Sequence, residues 1–134
     1  MKLYADEPGH AVLRRLDLLV VSCLARVEVP AAIWRKRRRR ELTEDEASLL
    51  AEEFEADYFG TAAEAPRFLI TGIVPSVLDV AAHLVATRRL RAYVGIQLAS
   101  ACAARDADAS CDAFACADAA LRDAARAEGF SLVP

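Results

Sequence analysis

Short, β-rich apolar runs separated by segments of helical period limit this chain more than any other feature. Leu18–Cys23 (LLVVSC) is a continuous apolar run and predicts a strand covered on both faces. Arg67–Ile73 (RFLITGI), Ala113–Ala117 and Phe130–Val133 read as three further strands. Between them lie helical segments. One begins at about Leu24 and places Leu24, Glu28, Ala31 and Ala32 on one face. Pro30 removes one hydrogen bond from it, which predicts a kink or a late start. Thr43-Glu44-Asp45-Glu46 has the form of a capping box. Ala47, Leu50, Ala51, Phe54 and Tyr58 then make an apolar stripe that Gly60 stops. After the loop Thr61–Pro66, Pro75 opens a helix to about Arg89, with Val77, Val80, Ala81, Leu84 and Val85 facing inward. The next helix covers Ala92 to about Asp106, with Val94, Gln97, Leu98 and Ala101 on its inner face. The last, Ala119–Glu128, ends at Gly129. Strands alternating with helices indicate an α/β domain with a mainly parallel sheet.

At 134 residues, a single domain over 1–134 with one core is expected, and an apolar content of 55% argues against disorder. No apolar run reaches the ~18 residues a membrane helix needs. Asp6 and Glu7 fall where a signal peptide would begin its apolar core. A cytoplasmic location without membrane association is therefore the expectation. Asp6-Glu7-Pro8-Gly9 reads as a turn into a short helix carrying Val12, Leu13 and Leu16. Cys23, Cys102, Cys111 and Cys116 form no CxxC pair, and the chain has two histidines, so reduced structural thiols fit better than a zinc site. His83 falls about 120° from the centre of its helix's apolar stripe, and His10 lies in a turn. A Cys–His or Ser–His nucleophile is set aside on that ground.

A net charge of −3 gives no general attraction to nucleic acid, yet the two signs are segregated. Arg35, Lys36, Arg37, Arg38, Arg39 and Arg40 form one block, and the acids gather in Glu41–Asp57. Arginines on every side of a helix cannot all be buried, so this end projects into water. It suits phosphates, through bidentate hydrogen bonds and counterion release, or it is a solvated helix end favoured by the dipole. Glu28 stands on an otherwise apolar stripe. A carboxylate there is costly unless it pairs with an arginine, reaches the stripe's edge or holds a metal. Asp118, directly after a strand, is an N-cap or a ligand. In parallel α/β sheets the ligand crevice lies beyond the carboxyl ends of the strands. Glu28 and Asp118 each follow a strand and are candidates for one crevice.

KLYADEPG at Lys2–Gly9, VSCLARVEVPAAIWRK at Val21–Lys36, LRAYVGIQLASA at Leu90–Ala101 and FACADAAL at Phe114–Leu121 together resemble the PIN-domain ribonucleases, in particular the VapC toxins of bacterial toxin–antitoxin pairs. The resemblance covers nearly the whole chain. It implies a three-layer α/β/α sandwich and metal-dependent cleavage of RNA. Such chemistry gathers carboxylates because Mg²⁺, or Mn²⁺ in its place, takes hard oxygen ligands and helps generate the attacking hydroxide. By the resemblance, Glu28 matches the family's conserved glutamate and Asp118 its late aspartate. Val94 stands where a sequence like RAYDAVQLA supplies a further aspartate. The first acid belongs to a strand that normally precedes KLY, in a pattern like LDTSALVKLY, which this chain as written lacks. Met1 aligns with a valine of that pattern, and a GTG codon is read as methionine at a start, so an N-terminally incomplete domain is the expectation.

Two of the four expected acids therefore remain. Two carboxylates hold Mg²⁺ weakly, and losing a shared metal site costs transition-state stabilisation. The resemblance leaves two readings. In one, the chain is a VapC-like Mg²⁺-dependent ribonuclease, with Glu28 and Asp118 as catalytic and metal residues and Arg35–Arg40 contacting RNA. In the other, it is a catalytically inactive PIN domain that binds an antitoxin or another partner. Valine supplies neither ligand nor base, which favours the second for present activity. A missing inner strand also predicts open ladder groups and assembly into a homodimer or higher oligomer.

Overall fold

The structure, a computed structural model, describes residues 10–15 and 19–133. Its elements in chain order are α1 (His10–Arg14), β1 (Leu19–Ser22), α2 (Ala25–Arg38), α3 (Glu44–Phe59), β2 (Phe68–Thr71), α4 (Pro75–Arg88), α5 (Ala92–Ala107), β3 (Ala113–Ala115), α6 (Ala119–Ala127) and β4 (Ser131–Val133). The class is α/β, as the alternation predicts. The single sheet expected from the sequence is replaced, among the described residues, by two sheets of two strands, β1–β2 and β3–β4. The chain divides into two compact units, Met1–Leu19 with Leu24–Leu69, and Val20–Cys23 with Ile70–Pro134. The turn at Asp6–Gly9, Leu16 and the first residue of the Leu18–Cys23 run lie outside the described residues.

In the first unit, α2 and α3 form a helical hairpin. Thr43 caps α3: its Oγ1 accepts from the Glu46 N–H at 3.2 Å, and the Glu46 carboxylate accepts from the Thr43 N–H at 2.7 Å. Two orphan donors are thereby satisfied at once. Gly60 ends α3 at φ 76°, in the left-handed region, with its N–H donating to the Ala56 carbonyl. A Cβ there would stand 2.8 Å from the Glu64 carbonyl oxygen, so the turn demands glycine. Ala47, Phe54 and Tyr58 are buried along the predicted stripe, and the Phe54 ring packs on Tyr58 and Phe68 at 5.5 and 6.3 Å. Burial of an aromatic of this size stabilises by about 1.5–3 kcal/mol. Leu13 of α1 is buried as expected, while Val12 is exposed. Helix α2 starts at Ala25 and runs through Pro30, so the late start does not occur.

The second unit is built on α4 and α5, which pack closely together. Gly95 permits the approach: a Cβ there would meet Val85 Cγ2 at 2.7 Å and the Ala81 carbonyl oxygen at 3.3 Å. Val77, Ala81, Leu84, Leu98, Leu121 and Phe130 join one core cluster. Val80, expected to face inward, is exposed, since a stripe of five residues on α4 is wider than its contact face. Strands β3 and β4 pair in parallel with Phe114 opposite Leu132. Arg122 Nη1 donates to the carbonyls of Cys116 and Val133 at 3.1 and 3.0 Å, tying both strand ends to α6. Strand β1, expected to be covered on both faces, is half-buried along its length. The Cys23 N–H donates to the Thr71 carbonyl at 2.9 Å, and Ser100 of α5 reaches Ser22 at 3.4 Å. All four cysteines are free thiols, and His83 is exposed. Burial pushes the Cys102 thiol up from its ordinary value. Among the described residues, no helix is long and apolar enough to cross a membrane.

Candidate functional site

Glu28 lies in the first turn of α2, half-buried, with its N–H donating to the Leu24 carbonyl at 2.9 Å. That placement lowers the cost foreseen from the sequence, because the N-terminal end of the helix dipole favours a carboxylate. It belongs to the first unit. Asp118 and Val94 belong to the second.

Asp118 is the N-cap of α6, and its Oδ1 accepts from the Leu121 N–H at 2.8 Å. The residue is exposed. Val94, in the first turn of α5, is half-buried and packs against the core cluster of its unit. An acid placed there would have to stay solvated beside an apolar core. Asp118 offers an oxygen donor and Val94 none. Among the described residues, no three His, Cys, Asp or Glu side chains gather as a metal-holding group. The KLYADEPG block lies outside the described residues.

The basic block divides in two. Lys36 Nζ pairs with Glu41 at 3.3 Å and Arg37 Nη2 with Glu44 at 3.2 Å. Arg35, Arg38, Arg39 and Arg40 are exposed and form no ion pair among the described residues. The division follows from how the helix ends. Arg40 adopts φ 62°, its N–H donates to the Arg37 carbonyl at 2.9 Å, and the Glu41 N–H reaches back to Lys36 at 3.0 Å. These are the two bonds of a Schellman ending, made here with arginine where glycine is usual. The reversal carries Glu41 and Glu44 back beside Lys36 and Arg37. A hint of this stood in the sequence, since acids follow the basic block directly, but ion pairs across a chain reversal have no fixed spacing.

Trp34 is 37% exposed. Two cation–π contacts went unread in the sequence: Arg26 lies 5.1 Å from the Phe59 ring centre and Arg105 4.2 Å from that of Phe130. Both partners are far apart in the chain. Compared with known proteins, the chain matches no family model, no curated protein and no solved structure.

Proposed function

We propose that this chain is a PIN-like domain of the VapC kind whose acidic site is reduced, and that it acts by binding rather than by cleaving RNA. In this reading the fold is a three-layer α/β/α sandwich in the cytoplasm. Glu28 and Asp118 are the surviving acids, Mg²⁺ is held weakly or not at all, and the partner is an antitoxin-like protein. Arg35, Arg38, Arg39 and Arg40 are the cations of the block available for RNA phosphates. The observation that carries the reading is Val94. Where the resemblance calls for a carboxylate, an apolar side chain packs against the unit's core. The N-cap duty of Asp118 supports it further, because one carboxylate oxygen is already engaged.

The test is an RNA cleavage assay with Mg²⁺ and with Mn²⁺, comparing the protein with Glu28→Gln and Asp118→Asn. The expected outcome is no cleavage above that of either variant, with retained binding of labelled RNA. Cleavage by the parent that is lost in both variants contradicts the binding reading and restores the ribonuclease one.

A further inference from the structure

The hairpin of the first unit presents two outward faces of opposite charge, and each carries exposed apolar side chains. Taking 100° per residue, Val27, Ala31, Trp34, Arg35 and Arg38 fall within an arc of about 100° on α2. All five are exposed, Val27 to 65%. The opposite side of that helix holds fully buried Ile33 and the paired Lys36 and Arg37. On α3, Asp45, Leu49, Glu52, Glu55 and Phe59 fall within an arc of about 120°, and all are exposed. Leu49 is 57% exposed and Phe59 52%.

The charges on these faces are unspent. Asp45, Glu52 and Glu55 form no ion pair among the described residues, nor do Arg35 and Arg38. Three acids without an ion pair thus stand on the α3 face and two such arginines on the α2 face. Each set borders an apolar strip that water solvates poorly.

We propose that a second copy of this chain covers these faces, with the basic and apolar face of α2 in one copy docked on the acidic and apolar face of α3 in the other. A phosphate surface explains the arginines alone. It leaves Val27 and Leu49 facing water and the acids unmatched. A second copy matches all four features, because the chain itself carries both halves of the contact. Complementary charge sets partner choice and register, and the apolar strips supply the burial that charge alone does not. The inference rests on the surface of the first unit and is independent of the reading of the acidic site; it takes Arg35 and Arg38 away from the RNA contact proposed above and leaves that contact to Arg39 and Arg40.

The test is sedimentation of the whole chain at about 0.1 M and about 1 M salt, between which the screening length falls from about 10 Å to about 3 Å. Self-association at the lower salt that weakens about tenfold or more at the higher is expected. The double variants Arg35→Glu/Arg38→Glu and Asp45→Lys/Glu52→Lys should each be monomeric while keeping parental circular dichroism. Mixed in equal amounts, they should associate again, since each face then meets its opposite charge. That restoration is a result a misfolded variant cannot give. A parent that stays monomeric at about 100 μM and low salt overturns the proposal, as does self-association unchanged in both variants. So does loss of labelled RNA binding in the arginine variant with no self-association in the parent, which would assign the face to RNA.

Discussion

Both units commit arginines to their folds, Arg26, Arg37 and Arg67 in the first among them, but the first also carries a run that makes no ion pair among the described residues. In the second, three arginines are committed to the fold. Arg122 ties two carbonyls at the ends of β3 and β4, and Arg105 stacks on Phe130 while donating to the Glu128 carbonyl at 2.7 Å. Arg88 clasps the Glu128 carboxylate at 2.7 Å, joining the end of α4 to the end of α6. In the first unit, the side chains of Arg35, Arg38, Arg39 and Arg40 form no ion pair among the described residues.

Core substitutions give the largest expected effects and should not distinguish the units. Phe54→Ala in the first and Leu98→Ala in the second each remove a side chain at most 2% exposed. Each is expected to cost about 3–5 kcal/mol in denaturant unfolding. A value below about 1 kcal/mol at either site would mean that its core is not packed as described. Next comes Gly95→Ala, expected to cost about 1–2 kcal/mol despite the better helix propensity of alanine. The Cβ meets Val85, whose side chain is stiff in a helix, and a carbonyl oxygen behind it. A stabilised variant would show that α4 and α5 separate at little cost.

Thr43→Ala should lose about 1 kcal/mol through its cap, measured by thermal unfolding. The cap also sets a pH dependence. Hydrogen bonds from the Thr43 N–H and hydroxyl hold the Glu46 carboxyl below its ordinary value. Its folded pKa is thus lower than its unfolded one. The stability it adds is present above the ordinary carboxylate range and is lost as pH falls through the lowered folded value. Glu46→Gln should flatten that part of the acid-unfolding profile, and an unchanged profile counts against the cap. Smallest is the contrast among the arginines themselves. Arg40→Gly should raise stability by up to about 1 kcal/mol by relieving the left-handed backbone, whereas Arg38→Ala should change it by less than about 0.5 kcal/mol. A large loss from Arg38→Ala would mean that this side chain is committed to the fold after all.

What the sequence made legible was local. The capping box, the stop at Gly60, the N-cap at Asp118 and the start of α4 at Pro75 each depend on residues within a few positions of one another. Their chemistry is decided before any long-range packing. Burial was less legible. Val80 has the right period for α4 and is exposed, because which part of a stripe is covered depends on the width of the neighbour. Strand β1 looks two-sided from its composition, yet a sheet of two described strands leaves it half-buried. The pairing of Lys36 and Arg37, with their four neighbours left free, depended on the left-handed turn at Arg40, which arginine does not announce. For the candidate site, sequence and structure agree on Asp118 as a cap and meet at Val94, whose apolar character and core packing have the same cause. Glu28 is eased by its place in the first turn of α2, a position the sequence left between two alternatives.

The most direct test of the reduced site is calorimetric titration of Mg²⁺ and Mn²⁺ into the whole chain, its Glu28→Gln variant and its Asp118→Asn variant. The prediction is no saturable binding up to millimolar metal in any of the three, with Val94→Asp run alongside to ask whether one added carboxylate creates a site. Saturable sub-millimolar binding by the parent, abolished in both acid variants, would contradict the claim and put an intact metal centre where the structure places an N-cap and a valine.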